Sequence, residues 1–309
     1  HRDLHSFPTR RSSDLDHFTD NPNERFKMFF RSPNTVPGIE ETIINACCMV
    51  SADGIHWGEP VKTGICGDRS TIFYNPFRKK WVFSIRSTGE IAKSPIGRAR
   101  YYREHSGFLQ GAKWDVGELT FWTGADNLDP QDSEIGEKAQ LYNLSAVGYE
   151  SLLIGFHEIH LGPKNEKCME KGVPKITELM ISFSRDGFHW HRPFREAFIP
   201  ASRKQGSWDR GYVQPSGGIC LIVGDKLWFY YTGFRGDENK LSPDFMSNGM
   251  YANGSTGVAV LRRDGFVSMS AGEAGGTLIT RLVTFNGKCL FVNVDCPSGE
   301  LKVDRKSVV

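Results

Sequence analysis

The heptapeptide Ser51-Ala-Asp-Gly-Ile-His-Trp57 returns almost unchanged as Ser184-Arg-Asp-Gly-Phe-His-Trp190, and a proline follows each copy at the same offset, Pro60 and Pro193. An internal repeat constrains architecture more than any local propensity does. Asp-Gly between apolar residues is a tight-turn signal, because Gly accepts a positive φ and Asp bonds the neighbouring backbone. The Trp then offers a large apolar anchor to the returning strand. Two weaker echoes fit the same frame: Ser106-Gly-Phe108 with Trp114 beyond it, and Leu261-Arg-Arg-Asp-Gly-Phe266. The four turns fall about 50 to 80 residues apart, a spacing that suits four-stranded propeller blades. Asp53, Asp186 and Asp264 are therefore expected in equivalent turns, with Trp57 and Trp190 mostly buried.

Both ends of the chain read as foreign to this pattern. Residues 5–15, His-Ser-Phe-Pro-Thr-Arg-Arg-Ser-Ser-Asp-Leu, resemble the translation of a common sequencing adaptor. Residues 304–309, Asp-Arg-Lys-Ser-Val-Val, match its opposite strand, since GAT CGG AAG AGC GTC GTG encodes them. The expected native segment is then 16–303, shortened at both ends. The charge reading follows. Residues 1–15 hold Arg2, Arg10 and Arg11 against Asp3 and Asp14, and residues 304–309 hold Arg305 and Lys306 against Asp304. Each end carries one excess positive charge, which together account for the whole net charge of +2. No nucleic-acid partner is therefore argued from basicity.

No apolar run approaches membrane-spanning length, so no membrane partner is expected. The seven cysteines show no paired metal-ligand spacing and read as mostly reduced core residues. Gly254-Ser-Thr-Gly257 is not a phosphate loop, because no lysine and no helix follow it. No cofactor and no metal are expected.

The remaining pattern is strand after strand. Arg25–Phe30 and Ala46–Val50 lead into the first Asp-Gly turn. Asp68–Tyr74, a turn at Asn75-Pro76, Lys80–Arg86 and residues 98–102 form the next unit. Tyr142–Ser151, Leu152–His157 and Glu178–Phe183 form the third. Tyr212–Ser216, Gly218–Val223, Lys226–Thr232 and Thr256–Leu261 form the fourth. After Phe266, the segments 277–281, 283–285, 289–293 and 300–303 read as the first strands of another β unit. Four blades make an awkward ring, which suggests a further blade upstream.

This blade grammar, with Tyr149-Glu-Ser151, Gly206-Ser-Trp-Asp-Arg-Gly-Tyr212 and Leu261-Arg-Arg-Asp-Gly-Phe266, resembles the uncharacterised bacterial glycosidase-like proteins of the five-bladed propeller superfamily. That superfamily includes the invertases, levansucrases and arabinanases. The resemblance covers nearly all of the native segment. It implies an all-β chain: a five-bladed β-propeller over 16–268, with about four blades present, followed by the start of a C-terminal β-sandwich over 269–303. It also implies a funnel near the central axis where carboxylates cleave a glycosidic bond in an oligo- or polysaccharide. Sialidase Asp-boxes place one residue between Asp and Gly, whereas here the two are adjacent.

Glycoside hydrolysis needs one carboxyl group to protonate the leaving oxygen and a second to activate water or attack the anomeric carbon. Asp68 opens an inner strand, and Glu150 interrupts an otherwise apolar run, where a lone carboxylate is costly without a partner or a task. These two are the candidate catalytic pair, Glu150 as acid and Asp68 as base, nucleophile or charge modulator. Their carboxyl groups are expected about 5 to 10 Å apart. Glu158 and Glu178 read instead as loop carboxylates, solvated or paired. Arg69, Tyr142, Asn143, Trp208, Asp209 and Gln214 are candidate substrate-binding residues, since sugars need flat faces and planar donors. Asp20-Asn-Pro-Asn23 is similar to the invertase Asn-Asp-Pro-Asn but reads as a turn, and no invertase Arg-Asp-Pro or Glu-Cys motif is present. The rival reading is a catalytically silent propeller that binds carbohydrate or protein on the same face.

Overall fold

The repeated turns close the third strands of successive antiparallel sheets. The structure, a computed structural model, describes residues 13–16, 18–31, 44–86, 96–216, 219–245, 247–284 and 287–304. In the first sheet β1 (Ser13–Leu15), β2 (Phe26–Arg31), β3 (Ile44–Ser51) and β4 (Val61–Cys66) follow in chain order. The second repeats that order with β5 (Thr71–Asn75), β6 (Lys80–Arg86), β7 (Ala99–His105) and β8 (Thr120–Gly124). The third has β9 (Gln140–Tyr149), β10 (Leu152–Gly162) and β11 (Ile176–Ser184). Single bridges from Phe183 to His191 and from Leu179 to Ile199 line its outer edge. In the fourth, β12 (Gly211–Pro215) and β13 (Leu221–Val223) share one side of β14 (Lys226–Phe234), and β15 (Gly254–Arg262) takes the other. The only α-helices among the described residues are short, α1 (Phe108–Gly111) and α2 (Asn165–Lys171). The fold is all-β.

Period-2 alternation gives each sheet two apolar faces. In the second sheet Tyr74, Trp81, Phe83 and Tyr101 pack with Ala46, Cys48 and Cys66 of the first. Their neighbours Phe73, Val82, Tyr102 and Trp122 pack with Leu144, Ala146 and Leu153 of the third. Phe156 of β10 meets Phe229 of β14 at 5.7 Å between ring centroids, and Phe198 meets both. The sheets thus stack face to face through aromatic layers. Cys47, Cys48, Cys66, Cys168 and Cys220 are buried free thiols, and burial raises the Cys48 thiol far above its ordinary range.

The two heptapeptides fold alike. Asp53 Oδ1 accepts the Ile55 and His56 amides, both at 2.8 Å, and its Oδ2 lies 2.7 Å from His56 Nδ1. Asp186 repeats this with the Phe188 and His189 amides at 2.9 Å and His189 Nδ1 at 2.7 Å. Gly54 and Gly187 take φ of 78° and 83°, which explains the glycine after each aspartate. These turns follow β3 and β11; Ser106-Gly-Phe108 follows β7, and Asp264 follows β15. Trp57 and Trp190 are half-buried rather than mostly buried. Trp190 lies over Gly155, where a Cβ would come within 2.5 Å of the indole.

Burial raises the Asp186 carboxyl, but its bonds to His189, Phe188 and Ser184 outweigh this and hold it well below the usual carboxylate range. The associated stability is present above the unfolded carboxylate pKa of about 4 and is lost as pH falls through the depressed folded value. Asp186→Ala should lower stability at neutral pH by about 1–2 kcal/mol, and by much less at pH 2. Thermal melting at the two pH values checks this, and an equal loss at both would contradict it.

Residues Phe266–Val309 form a separate unit. Its described residues form no strand, so the β-strands expected at 277–281, 289–293 and 300–303 are not found, and Phe285 of the segment 283–285 lies outside the described residues. Ile279, Leu282 and Phe291 remain exposed. An alternating segment becomes a strand only when a neighbour takes its backbone bonds, and none of these segments pairs with another. At the other end, Ser13–Leu15 pairs with Phe26–Met28, inside the stretch read as adaptor-derived. Residues 1–12 and 305–309 lie outside the described residues.

Candidate functional site

Arg100 on β7 organises the place where β5, β9 and β12 approach one another. It is fully buried, and all three of its guanidinium nitrogens are used. Nε donates to Ser84 Oγ at 3.0 Å and Nη1 to the Tyr142 carbonyl at 3.2 Å. Nη2 donates to the Arg69 and Ser84 carbonyls, both at 2.8 Å, and to Asn143 Oδ1 at 3.0 Å. Burial, with repulsion from Arg86 and Arg69, pushes its pKa down to about 9, so it stays a cation at neutral pH. Thr71 ties β5 to β9 through Asn143 Oδ1 at 3.1 Å and the Leu144 carbonyl at 2.9 Å. Thr177 ties β11 to β12 through the Val213 carbonyl at 2.8 Å.

Four candidate residues meet on this frame, joined by Glu158. Asp68 sits in the turn before β5, with its side chain 44% exposed and ion-paired with Arg86. Tyr142 donates its hydroxyl to Asp68 Oδ2 at 3.1 Å. The Tyr212 hydroxyl lies 3.0 Å from that of Tyr142, so a chain of donors runs from Tyr212 through Tyr142 to the carboxylate. Burial raises both phenols, keeping them protonated donors. Arg69 Nη2 bonds Glu158 Oε2 at 2.9 Å. Glu158 is completely buried, and burial raises its carboxyl above the ordinary range although Arg69 opposes this. Asn143, paired with Glu158 across β9 and β10, completes the group. Arg69 and Tyr212 hold φ of 59° and 52°, a left-handed conformation that side-chain-bearing residues keep only when their surroundings enforce it. The Arg100 bond to the Arg69 carbonyl and the 2.6 Å bond from the Tyr212 amide to the Lys175 carbonyl do so.

The other candidates fall elsewhere, except Gln214, which is buried on β12 with its side chain toward the Tyr212 hydroxyl. Glu150 is not on an inner strand. It forms the tip of the β9–β10 hairpin at φ 49°, where its Oε1 accepts from Arg263 at 2.8 Å. The strand expected over residues 142–151 ends at Tyr149, which leaves Glu150 in the tight turn before β10. Glu150 lies seven positions beyond Asn143, roughly 23 Å at about 3.3 Å per residue, so it does not join Asp68. Trp208 packs on Tyr231 at 5.2 Å and over Gly257, and Asp209 accepts from Ser207 at 2.6 Å and from Tyr231 at 3.4 Å. Both serve the fourth sheet and make no bond to the Asp68 group.

Glu158, Arg86, Arg100 and His160 are the residues that sequence reasoning passed over, whereas Tyr212 opens an inner strand and was expected to line the funnel. The signal for Glu158 was present: His157, Glu158 and His160 lie within the run Leu152–Leu161, and β10 is buried almost throughout. A carboxylate in such a strand needs a cation, and Arg69 was already in view. Among the described residues, no group of three or more His, Cys, Asp or Glu side chains gathers as a metal would require.

No protein-family model and no curated protein matches the sequence. Among solved structures the chain is similar to an N-acetylgalactosamine deacetylase from F. plautii in complex with blood group B trisaccharide. The identity is 14% over 78% of this chain and 70% of that one, with a TM-score of 0.51. It also aligns with a β-fructofuranosidase from Bombyx mori at 13% identity, covering 82% of this chain and 48% of that one, TM-score 0.43. An α-L-arabinofuranosidase from Fusarium graminearum aligns at 12% identity over 76% of each chain, TM-score 0.38. The first likeness shows a shared fold and says nothing of the reaction; the other two score too low to add to it.

Proposed function

We propose that the protein binds an oligo- or polysaccharide where β5, β9 and β12 converge and cleaves it as a glycoside hydrolase. In this reading the four sheets are blades of a five-bladed propeller. The observation that carries it is the half-exposed Asp68 carboxylate, held by Tyr142 and Arg86 directly beside the buried Arg69–Glu158 pair. Two carboxyl groups in unlike environments suit the division of labour in glycoside hydrolysis. Asp68 is the base or nucleophile. Glu158, raised by burial, is the group that carries the proton. The oligosaccharide bound by the deacetylase of similar fold supports the ligand class, while its different reaction shows why the chemistry must rest on the site.

A second reading is favoured by one observation: Glu158 has no exposed surface. If it stays sealed beneath Arg69, the same group binds a glycan without cleaving it. Reducing-end release from a panel of plant, algal and microbial oligosaccharides separates the two. The hydrolase reading expects turnover that Asp68→Asn removes. Binding without turnover, weakened by the same substitution, supports the second reading. No glycan bound by the wild-type chain would overturn both.

A further inference from the structure

Beside the Asp68 group lies a cavity of about 290 Å³, near the lower end for ligand pockets. Its lining includes Arg98, His160 and Lys175. The Tyr142 ring touches two of the lining residues, Arg98 and His160, as well as the group. Arg98 Cζ lies 5.7 Å and Arg86 Cζ 5.2 Å from the ring centroid, and the His160 ring lies 5.8 Å from it, while the Tyr142 hydroxyl reaches Asp68.

Two side chains here are buried without partners. His160 is 3% exposed, and neither ring nitrogen has a hydrogen-bond partner. Lys175 is 6% exposed overall; its ammonium makes no hydrogen bond or ion pair among the described residues, but it is not one of the fully buried polar atoms and keeps surface beside the cavity it lines. An imidazole sealed without a partner is costly, and an unpaired ammonium at a cavity wall is free to take an anion. The acids on the rim do not resolve this. Glu137 Oε1 accepts the Lys164 backbone amide at 3.0 Å, and Glu166 attracts Lys175 at a distance but makes no ion pair with it among the described residues. The cations meanwhile repel one another. Burial and then Arg98 push Lys175 down to about 8, and burial, Arg98 and Lys175 push His160 down to about 3. The cavity has the unmet donors and the positive field that an anion satisfies.

We propose that this cavity takes the anionic group of a sugar, a uronate carboxylate or a sulfate ester, held by Lys175 and Arg98 with His160 at its back. The glycan that meets Asp68 is then an acidic one; this rests on the glycan reading above. Lys175 is carried next to the Asp68 group by its backbone, since its carbonyl accepts the Tyr212 amide. On this proposal one ligand reaches both.

The test is binding of the full chain to an array of uronate, sulfated and neutral oligosaccharides, followed by titration calorimetry on the strongest of each class. Acidic glycans should bind at least about 10-fold more tightly than neutral ones, with the gap shrinking as salt rises. Lys175→Met should narrow it to under about 3-fold, with folding checked by thermal melting. The comparison within the array shows whether carboxylate or sulfate is preferred. If neutral glycans bind as well as acidic ones and still need Asp68, the anionic subsite is wrong and the glycan reading stands. If Lys175→Met folds and keeps the acidic preference, the assignment to this cavity is wrong. If inorganic sulfate alone stabilises the wild-type chain and no glycan binds, the glycan reading falls and this proposal with it. Should Lys175→Met not fold, the wild-type preference and its salt dependence decide.

Discussion

Arg100→Met should destabilise the fold by about 3–5 kcal/mol, the largest stability effect expected of any single substitution at the site. The methionine fills most of the volume, but the Tyr142, Arg69 and Ser84 carbonyls lose the guanidinium donor and Asn143 Oδ1 keeps only its bond from Thr71. These acceptors come from β6, β9 and the turn before β5, so the loss falls on the contact between the second and third sheets. Arg69 also loses the bond that holds its left-handed backbone. Lysine should rescue little, because its donors radiate from one point and cannot span the fork. Arg78→Ala is the control. Its pair with Glu104 is partly exposed, and its loss should cost at most about 1 kcal/mol. Urea unfolding of the three variants measures this; an Arg100→Met loss near that of Arg78→Ala would show that the guanidinium network does not hold the site.

The largest expected effect on turnover is that of Glu158→Gln, a fall of roughly 10²–10⁴-fold. A general acid must carry its proton, and burial raises the Glu158 carboxyl above the ordinary range of about 4.3. Wild-type turnover should therefore hold on the acid side and fall as pH rises through the raised value. Glu158→Gln should lose this alkaline limb along with most of the rate. A structural role alone would lower the rate and leave the limb in place. The stability effect has the same sign: a carboxyl with a raised folded pKa favours the fold below its unfolded pKa, and that contribution is lost as pH rises through the folded value.

The parts of the molecule that were legible in the sequence are those set by local chemistry. The Asp-Gly turns depend on one glycine φ and one carboxylate within five residues, so the heptapeptide carried its own geometry. Asp68, Arg69, Tyr142 and Asn143 were legible because the openings of first strands lie where sheets converge. What was hidden depends on partners distant along the chain. Arg100 sits in Arg-Tyr-Tyr-Arg, which reads like any strand with a wet face, and its acceptors lie 16 to 43 residues away. Glu150 was misplaced because the pattern does not reveal that the first strand stops at Tyr149, two residues short of the expected end at Ser151. Glu158 was passed over because His157 and Glu158 are adjacent and break the alternation, so the segment reads as a loop, whereas both are buried, His157 against Ser182 of β11 and Glu158 against Arg69 in the turn before β5. The apolar segments after Phe266 have strand-like patterns, but a pattern cannot supply the neighbour a strand requires.

The central claim is that the glycan site lies at the convergence of β5, β9 and β12. The most direct measurement is a crystal structure of the chain with the tightest-binding oligosaccharide. The predicted result is a sugar residue whose hydroxyl or glycosidic oxygen lies within hydrogen-bond distance of Asp68 and Tyr142. A glycan seated instead on the Trp208–Tyr231 face of the fourth sheet, with Asp68 untouched, would contradict it.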